Sequence, residues 1–273
     1  MSGTRQNLFV KAIRSIAGLL RVGMTFVVIS RNWFFHVRFK GKAASTRARA
    51  EWMQQSAKAL AGALRIRVQA QGAPPQSGLI VCNHLSYLDI LVLGAGHPTL
   101  FVSKAEVRSW PWIGWLTECA GTLFINREQR GDVARLKDRI QALLGEGVPI
   151  AFFPEGTSTH GEQVLPFRAS LLEPASANNC PVTPASLAYH LKHGSVVEEV
   201  CFWRDMTFGP HLWNLLSKPE IEASVVYGET VIASADRKTL AQSLHASVCA
   251  LRSRHPFNRK TAAEPLGDLL NAG

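Results

Sequence analysis

The chain has 273 residues, 47% of them hydrophobic and 18% charged, which excludes a disordered protein and leaves room for one large or two small folded units. Its net charge of +10 is concentrated: residues 1–50 hold ten Lys/Arg and no Asp or Glu, while residues 51–273 hold 20 basic and 20 acidic residues. Five cysteines (Cys82, Cys119, Cys180, Cys201 and Cys249), an odd number with no CxxC, argue against a disulfide framework and for buried, inert thiols facing a reducing cytosol.

The first segment with a pattern is "SIAGLLRVGMTFVVIS" (15–30), shorter than the roughly 20 apolar residues a membrane span needs and interrupted by Arg21. Lys11, Arg14 and Arg21 share one face of a 3.6-period helix, and "RNWFFHVRFK" (31–40) then mixes aromatics with cations. This predicts a basic helix lying in the surface of an anionic membrane. A helix packed on the domain and a cleaved targeting segment are the blander alternatives. A nucleic-acid arm fits less well, because it does not need the apolar run between the charges. The natural boundary falls near residue 50, giving an arm over 1–50, a charge-balanced domain over 51–255 and a weakly patterned tail over 256–273.

Strands are then expected at "LRIRVQA" (64–70), "GLIVCN" (78–83), "TLFVSK" (99–104), "GTLFINR" (121–127), "VPIAFF" (148–153), "PVTPASLAY" (181–189) and "EASVVYGE" (222–229). Helices are expected at 86–95, at 109–120 with Pro111 in the first turn, at 167–177 and at 235–255. The clearest helix is 131–147, with Val133, Leu136, Ile140, Leu143 and Leu144 in one stripe and Asp132 as its cap. Strands alternating with helices give an α/β domain with a mixed, largely buried sheet flanked by helices.

Within "VCNHLSYLDI" (81–90), His84 and Asp89 stand five positions apart. On one continuous helix they would lie about 140° apart. They meet only if His84 sits in the loop before a helix and Asp89 in its first turn, with Ser86 as the cap. A carboxylate bonded to one ring nitrogen fixes the tautomer and makes the other nitrogen a base. The spacing alone also fits a histidine and an acid with no connection. The sequence has no GxSxG elbow, no HExxH or metal-ligand spacing, no P-loop and no GxGxxG. A base without a protein nucleophile points to direct attack by a substrate hydroxyl or by water.

Two later strands end in Arg127 ("GTLFINRE") and in Glu155–Gly156 ("FFPEGTSTHG"). Strand ends on one side of an α/β sheet are where ligands bind. An arginine fork and the amides of a glycine loop suit an anion. Taken singly, Arg127 also reads as half of a surface ion pair and Glu155 as a helix-capping carboxylate.

Together and in this order the segments resemble the glycerolipid acyltransferases, the family of bacterial 1-acyl-glycerol-3-phosphate acyltransferases. Asn83–His84 through Asp89 matches its NHxxxxD block. "GTLFINR" looks like the second block, "FPEGT" (153–157) the third and "CPVTPAS" (180–186) the fourth, and the resemblance spans roughly residues 65–230. It implies a single acyltransferase domain behind a membrane-associating arm, at the cytoplasmic face of the inner membrane. The implied reaction moves an acyl chain from acyl-CoA or acyl-ACP to the hydroxyl of 1-acyl-glycerol-3-phosphate, making phosphatidic acid for phospholipid biosynthesis. It uses no further cofactor, no metal and no nucleic acid. His84 would be the general base, oriented by Asp89. Backbone amides near the His84 loop or the Pro-Glu-Gly loop would hold the oxyanion. Arg127 would hold the acceptor's anionic head group, with Lys104 as a second cation, and Glu155, Gly156 and Thr157 would shape the acceptor site.

Two departures stand out. Ser158 follows Thr157 where the family often has Arg, and Arg168–Ala169 stands where a Lys-Gly pair is common, so one head-group cation is missing or moved. "FPEGTST…VLPFR" with "SKAEVRSWPWIGWL" also looks like the branch containing lyso-ornithine-lipid acyltransferases, whose acceptor lacks a phosphate. A phosphatidate-forming enzyme is the first expectation and a lyso-ornithine-lipid acyltransferase the second. A membrane lipid-binding protein without catalysis and a thioesterase-like hydrolase are the competing classes.

Overall fold

The structure, a computed structural model, describes residues 2–38, 45–110, 112–126, 130–233 and 236–257. The chain opens with the long helix α1 (Ser2–Asn32), which runs into a π-helical segment, Trp33–Arg38. Helix α2 (Thr46–Ala63) follows, capped by Ser45, whose side chain accepts from the Ala48 amide. Next come β1 (Ile66–Gln71), β2 (Leu79–Cys82), α3 (Leu88–Gly96), β3 (Leu100–Lys104), α4 (Ile113–Cys119), β4 (Leu123–Ile125), α5 (Arg130–Leu144) and β5 (Ile150–Phe152). The remainder is α6 (Glu173–Ala177), β6 (Pro181–His190), α7 (Val196–Glu199), α8 (Phe208–Leu216), β7 (Ile221–Tyr227), β8 (Val231–Ile232) and α9 (Arg237–Arg252). Residue 50 therefore lies inside α2, and Asp132, expected as the cap of α5, lies within that helix, which starts two residues earlier.

The strands form one mixed sheet in the order β1-β7-β6-β2-β5-β3-β4, with β8 beside β6. Strands β6, β2, β5, β3 and β4 run parallel to one another, and β7 runs antiparallel to β6. The run Leu79-Ile80-Val81-Cys82 shows why β2 is central: all four residues are buried. Ile80 and Cys82 pack into one apolar cluster with Trp52 and Leu93, while Leu79 and Val81 pack into the other with Ile140 and Val248. A strand covered on both faces cannot alternate polar with apolar residues, and this one does not. Burial pushes the thiol of Cys201 up to about 12 and that of Cys180 to about 11, which keeps both unreactive. Cys249 is exposed.

Helix α1 packs along α2 and α8 with an unexpected face. Its inward side carries Ser15, Gly18 and Arg21 beside Val22, Phe26 and Ile29. The Ser15 hydroxyl bonds the Trp213 carbonyl at 3.0 Å, and the Arg21 Nε–H donates to the Ala63 carbonyl at 3.2 Å, at the C-terminal end of α2 where helix carbonyls lack partners. At Gly18 a Cβ would stand 2.9 Å from Leu216, so only glycine allows the close approach. The outward side is apolar: Leu8, Phe9, Leu20, Met24 and Val27 are each more than 60% exposed. The stretch Leu8–Phe35 is 28 residues, long and apolar enough to cross a membrane by length and composition. Two expectations change as a result. The apolar segment is longer than 15–30, and Arg21 faces the protein because a helix terminus there accepts its hydrogen bond.

Candidate active site

Parallel strands β2 and β5 pair Val81 with Phe152, so three residues further on His84 and Glu155 come level beyond the same edge of the sheet. Asn83 holds the chain down as it leaves β2: its Nδ2 donates to the Leu187 carbonyl at 3.0 Å, and its Oδ1 accepts from the Leu187 amide at 2.8 Å. The His84 amide donates to Glu155 Oε1 at 2.7 Å, and the His84 carbonyl accepts from the Thr159 amide at 2.9 Å. The backbone of His84 is thus tied on both sides before its ring makes any contact.

The ring and Asp89 do meet. His84 Nδ1 lies 2.7 Å from Asp89 Oδ2, with His84 in the turn and Asp89 in the first turn of α3. The same Oδ2 accepts the amides of Leu85 at 2.7 Å and Ser86 at 3.0 Å, and Oδ1 accepts the Tyr189 hydroxyl at 2.7 Å. Asp89 is fully buried, so these four donors stand in for water around its carboxylate. Burial and then the Asp89 charge push the Tyr189 hydroxyl well above the usual phenol range, which keeps it a donor. Ser86 is not the cap that its position suggests. Its amide goes to Asp89, and its buried hydroxyl has no partner among the described residues. The carboxylate is the stronger acceptor and takes over the capping of this turn.

With a carboxylate on Nδ1, the proton of a neutral ring belongs there and Nε2 keeps a lone pair. Among the described residues nothing hydrogen-bonds Nε2. The ring stacks on Phe153 with centroids 4.2 Å apart and planes 13° apart, and its side chain remains 21% exposed. One nitrogen is therefore engaged and the other open, on a ring whose orientation is fixed.

The other expected site residues divide. Glu155, expected to help shape the acceptor site, is enclosed at 2% exposure, and its second oxygen accepts from the Leu165 amide at 2.8 Å. It holds the His84 and Leu165 amides, because the β2–β5 register brings it level with the His84 loop. Burial raises its carboxyl above the usual range, against the pull of those two amides and His84. Gly156 has φ +80°, and a Cβ there would come within 2.7 Å of Arg168 Nε. The missing side chain lets the exposed Arg168 lie across the loop, where its amide also bonds the Pro154 carbonyl at 2.9 Å. Thr157 is exposed beside it. Lys104 ends β3 at the same sheet edge, exposed and without a carboxylate partner among the described residues. Arg127 lies outside the described residues.

The amides of His84, Leu85, Ser86 and Gly156 are all engaged internally, so four of the backbone donors expected to meet an oxyanion are not free. Among the described residues, those of Thr157 and Ser158 carry no internal bond. No group of three or more His, Cys, Asp or Glu among the described residues is placed to hold a metal ion. Tyr189 was missed from sequence because it is 100 positions from Asp89, on another strand.

Comparison with known proteins gives the family and the fold. The family model described as Acyltransferase matches residues 65–188, which contain His84, Asp89, Glu155 and Tyr189's neighbour Ala188. The Lyso-ornithine lipid O-acyltransferase of Rhodobacter capsulatus is 38% identical over 196 residues, covering 68% of this chain and 70% of that protein. The 1-acyl-sn-glycerol-3-phosphate acyltransferase of Neisseria gonorrhoeae is 31% identical over 179 residues, covering 65% and 70%. The crystal structure of the 1-acyl-sn-glycerophosphate (LPA) acyltransferase from Thermotoga maritima has the same fold, with a TM-score of 0.61 over 89% of this chain and 99% of that one at 20% identity. The chain belongs to the glycerolipid acyltransferase family and is an acyltransferase.

Proposed function

We propose that the protein moves an acyl chain from a thioester donor, acyl-CoA or acyl-ACP, to the free hydroxyl of a membrane lysolipid. The observation that carries this is the 2.7 Å contact of His84 Nδ1 with buried Asp89, which leaves Nε2 open at the sheet edge. Nε2 takes the proton as the lysolipid oxygen attacks the thioester carbonyl. Asp89 faces the imidazolium that results and stabilises it. Collapse of the tetrahedral intermediate breaks the C–S bond. The departing thiolate takes the proton back from Nε2, so the products are the ester and the free thiol. The step balances with the two substrates alone. Among the described residues, the amides of Thr157 and Ser158 are two of the donors left for the oxyanion.

For the acceptor, the first reading is a lyso-ornithine lipid. It rests on the higher identity to relatives bearing that name, 38% against 31%, and on Ser158 in place of a head-group arginine. Arg168, at the second departure from the family pattern, lies over Gly156. The second reading is 1-acyl-glycerol-3-phosphate, favoured by Lys104, which has no carboxylate partner among the described residues, and by Arg127, to which the motif resemblance gives the role of holding the acceptor's anionic head group. The outward apolar face of α1 supports membrane association, and ten cations in residues 1–50 support an anionic leaflet at the cytoplasmic face. The test is one labelled acyl donor with the two lysolipids offered separately to purified protein. Faster transfer to lyso-ornithine lipid supports the first reading, faster transfer to lysophosphatidate the second. Release of free fatty acid without either product would make the protein a hydrolase and defeat both.

A further inference from the structure

The exposed apolar surface does not stop at α1. Trp112, just before α4, is 71% exposed, as much as Met24 of α1. Its ring meets Phe26 of α1 edge-on at 5.3 Å, and Trp115 of α4 meets the same Phe26 at 5.6 Å. Trp115 in turn stands edge-on to the buried Trp52 of α2 at 6.2 Å. An aromatic seam thus joins arm and catalytic domain, with Trp112 as its outermost ring.

Facing water is costly for Trp112, and its backbone is strained besides. A large apolar ring is left uncovered. Its backbone also adopts φ +66°, a region that bulky residues avoid. The segment is nonetheless held firmly: the Gly114 amide donates to the Trp110 carbonyl at 2.9 Å, and Arg108 pairs with Glu118 of α4. The indole is presented outward at the N-terminal end of α4.

A bilayer interface is the occupant that fits. An indole combines an apolar body with an N–H and settles at the headgroup boundary, and among the described residues nothing accepts the Trp112 N–H. The neighbouring surface of α1 is apolar at Met24 and Val27, and the chain places its excess cations beside that helix. We propose that Trp112 is an interfacial membrane anchor on the catalytic domain itself, seated beside α1. Strand β3 ends at Lys104, on the edge beyond which His84 lies, and the chain runs from there within eight residues to Trp112. The anchor therefore fixes that edge near the lipid surface, where a lysolipid can approach His84 without leaving the membrane. This rests on α1 being membrane-associated, as read above.

The test uses the full chain, anionic vesicles carrying lipids brominated near the headgroup, and the variants Trp112→Phe and Trp112→Ser. Wild-type tryptophan fluorescence should be quenched by the brominated lipid, and Trp112→Phe should lose part of that quenching while floating as well as wild type. Trp112→Ser should partition about tenfold more weakly, with unchanged turnover of a detergent-dispersed lysolipid. Unchanged partition and unchanged quenching in both variants would overturn the anchor while leaving α1 as the membrane contact. A wild-type protein that does not bind vesicles would overturn the reading of α1 and this proposal with it. A change from dimer to monomer in Trp112→Ser, without a change in partition, would give the surface to a second copy of the chain and also overturn the proposal.

Discussion

Asp89 sits inside the protein with four hydrogen-bond donors around its carboxylate, while Met24 and Leu20 sit outside it with none of the apolar cover such residues find in a core. In α1 the order is reversed: Ser15 and Arg21 turn toward the domain and bond its carbonyls. Both regions obey one rule, that polar groups leaving water need partners and apolar groups seek a medium of their own kind. What differs is where the apolar medium lies. Around Asp89 it is the protein interior. Along α1 the protein leaves that face uncovered, and on the reading proposed above a membrane supplies the medium.

The largest effect should come from emptying the Asp89 site. Asp89→Ala leaves two amides, a ring N–H and a phenol without their acceptor, each costing about 1–3 kcal/mol when buried. A fall in Tm of about 10 °C or more in detergent is expected by calorimetry. Asp89→Asn is a finer probe. Three donors converge on Oδ2, so the amide oxygen should occupy that place, and the amide NH2 should face the Tyr189 hydroxyl, which can accept. The His84 tautomer then survives and only the charge facing the imidazolium is lost. We expect kcat to fall about 10- to 100-fold with little change in Tm.

Along α1 the comparison sharpens by opposing two changes. Leu20→Ser with Met24→Ser should weaken vesicle partition by more than about tenfold without lowering Tm in detergent. Gly18→Leu should lower Tm, because its side chain collides with Leu216. If the two swapped outcomes, the helix would be facing the other way. Tyr189→Phe should lower kcat several-fold with KM unchanged, since one neutral donor to a charged acceptor is worth about 1.5 kcal/mol or more. Arg168→Ala should raise KM for the acceptor and leave that of the donor.

A separate effect, on stability alone, concerns pH. His255 is buried, and burial followed by the Arg252 charge lowers its imidazole from 6.5 to about 4. The unfolded chain takes up that proton first, so stability is complete above pH 6.5 and falls between there and about 4. Between pH 7 and 5 the loss should be about 2 kcal/mol in urea titrations, and His255→Leu should flatten the slope.

Much of this was legible from sequence where pattern and structure are local. The apolar runs at 79–82 and 150–152 read as strands because both faces are covered, and the loop-then-helix placement that lets His84 meet Asp89 was one of two readings open from their spacing, because both lie within one loop and helical turn. Helix α2 was not expected: "TRARAEWMQQSAKALAGA" carries its stripe largely in alanines, and the charge boundary drawn at 50 cuts through it. The backbone partners of Glu155 were not legible because a carboxylate after a strand can face either way, and only the pairing of Val81 with Phe152 brings it level with His84. Tyr189 could not be found locally, since the alignment of β6 beside β2, Cys82 with Ala185, is what brings it near Asp89. Arg21 read as one cation of a basic face, because nothing in its own segment shows the open carbonyls of another helix.

The central claim is that the open nitrogen of His84 removes the proton of the acceptor hydroxyl. Its most direct test is single-turnover transfer from a labelled acyl-thioester to lysolipid by His84→Ala protein whose Tm and vesicle binding match wild type. The account predicts a rate lower by about 10²- to 10⁴-fold. A folded His84→Ala protein that transfers at close to the wild-type rate would contradict it.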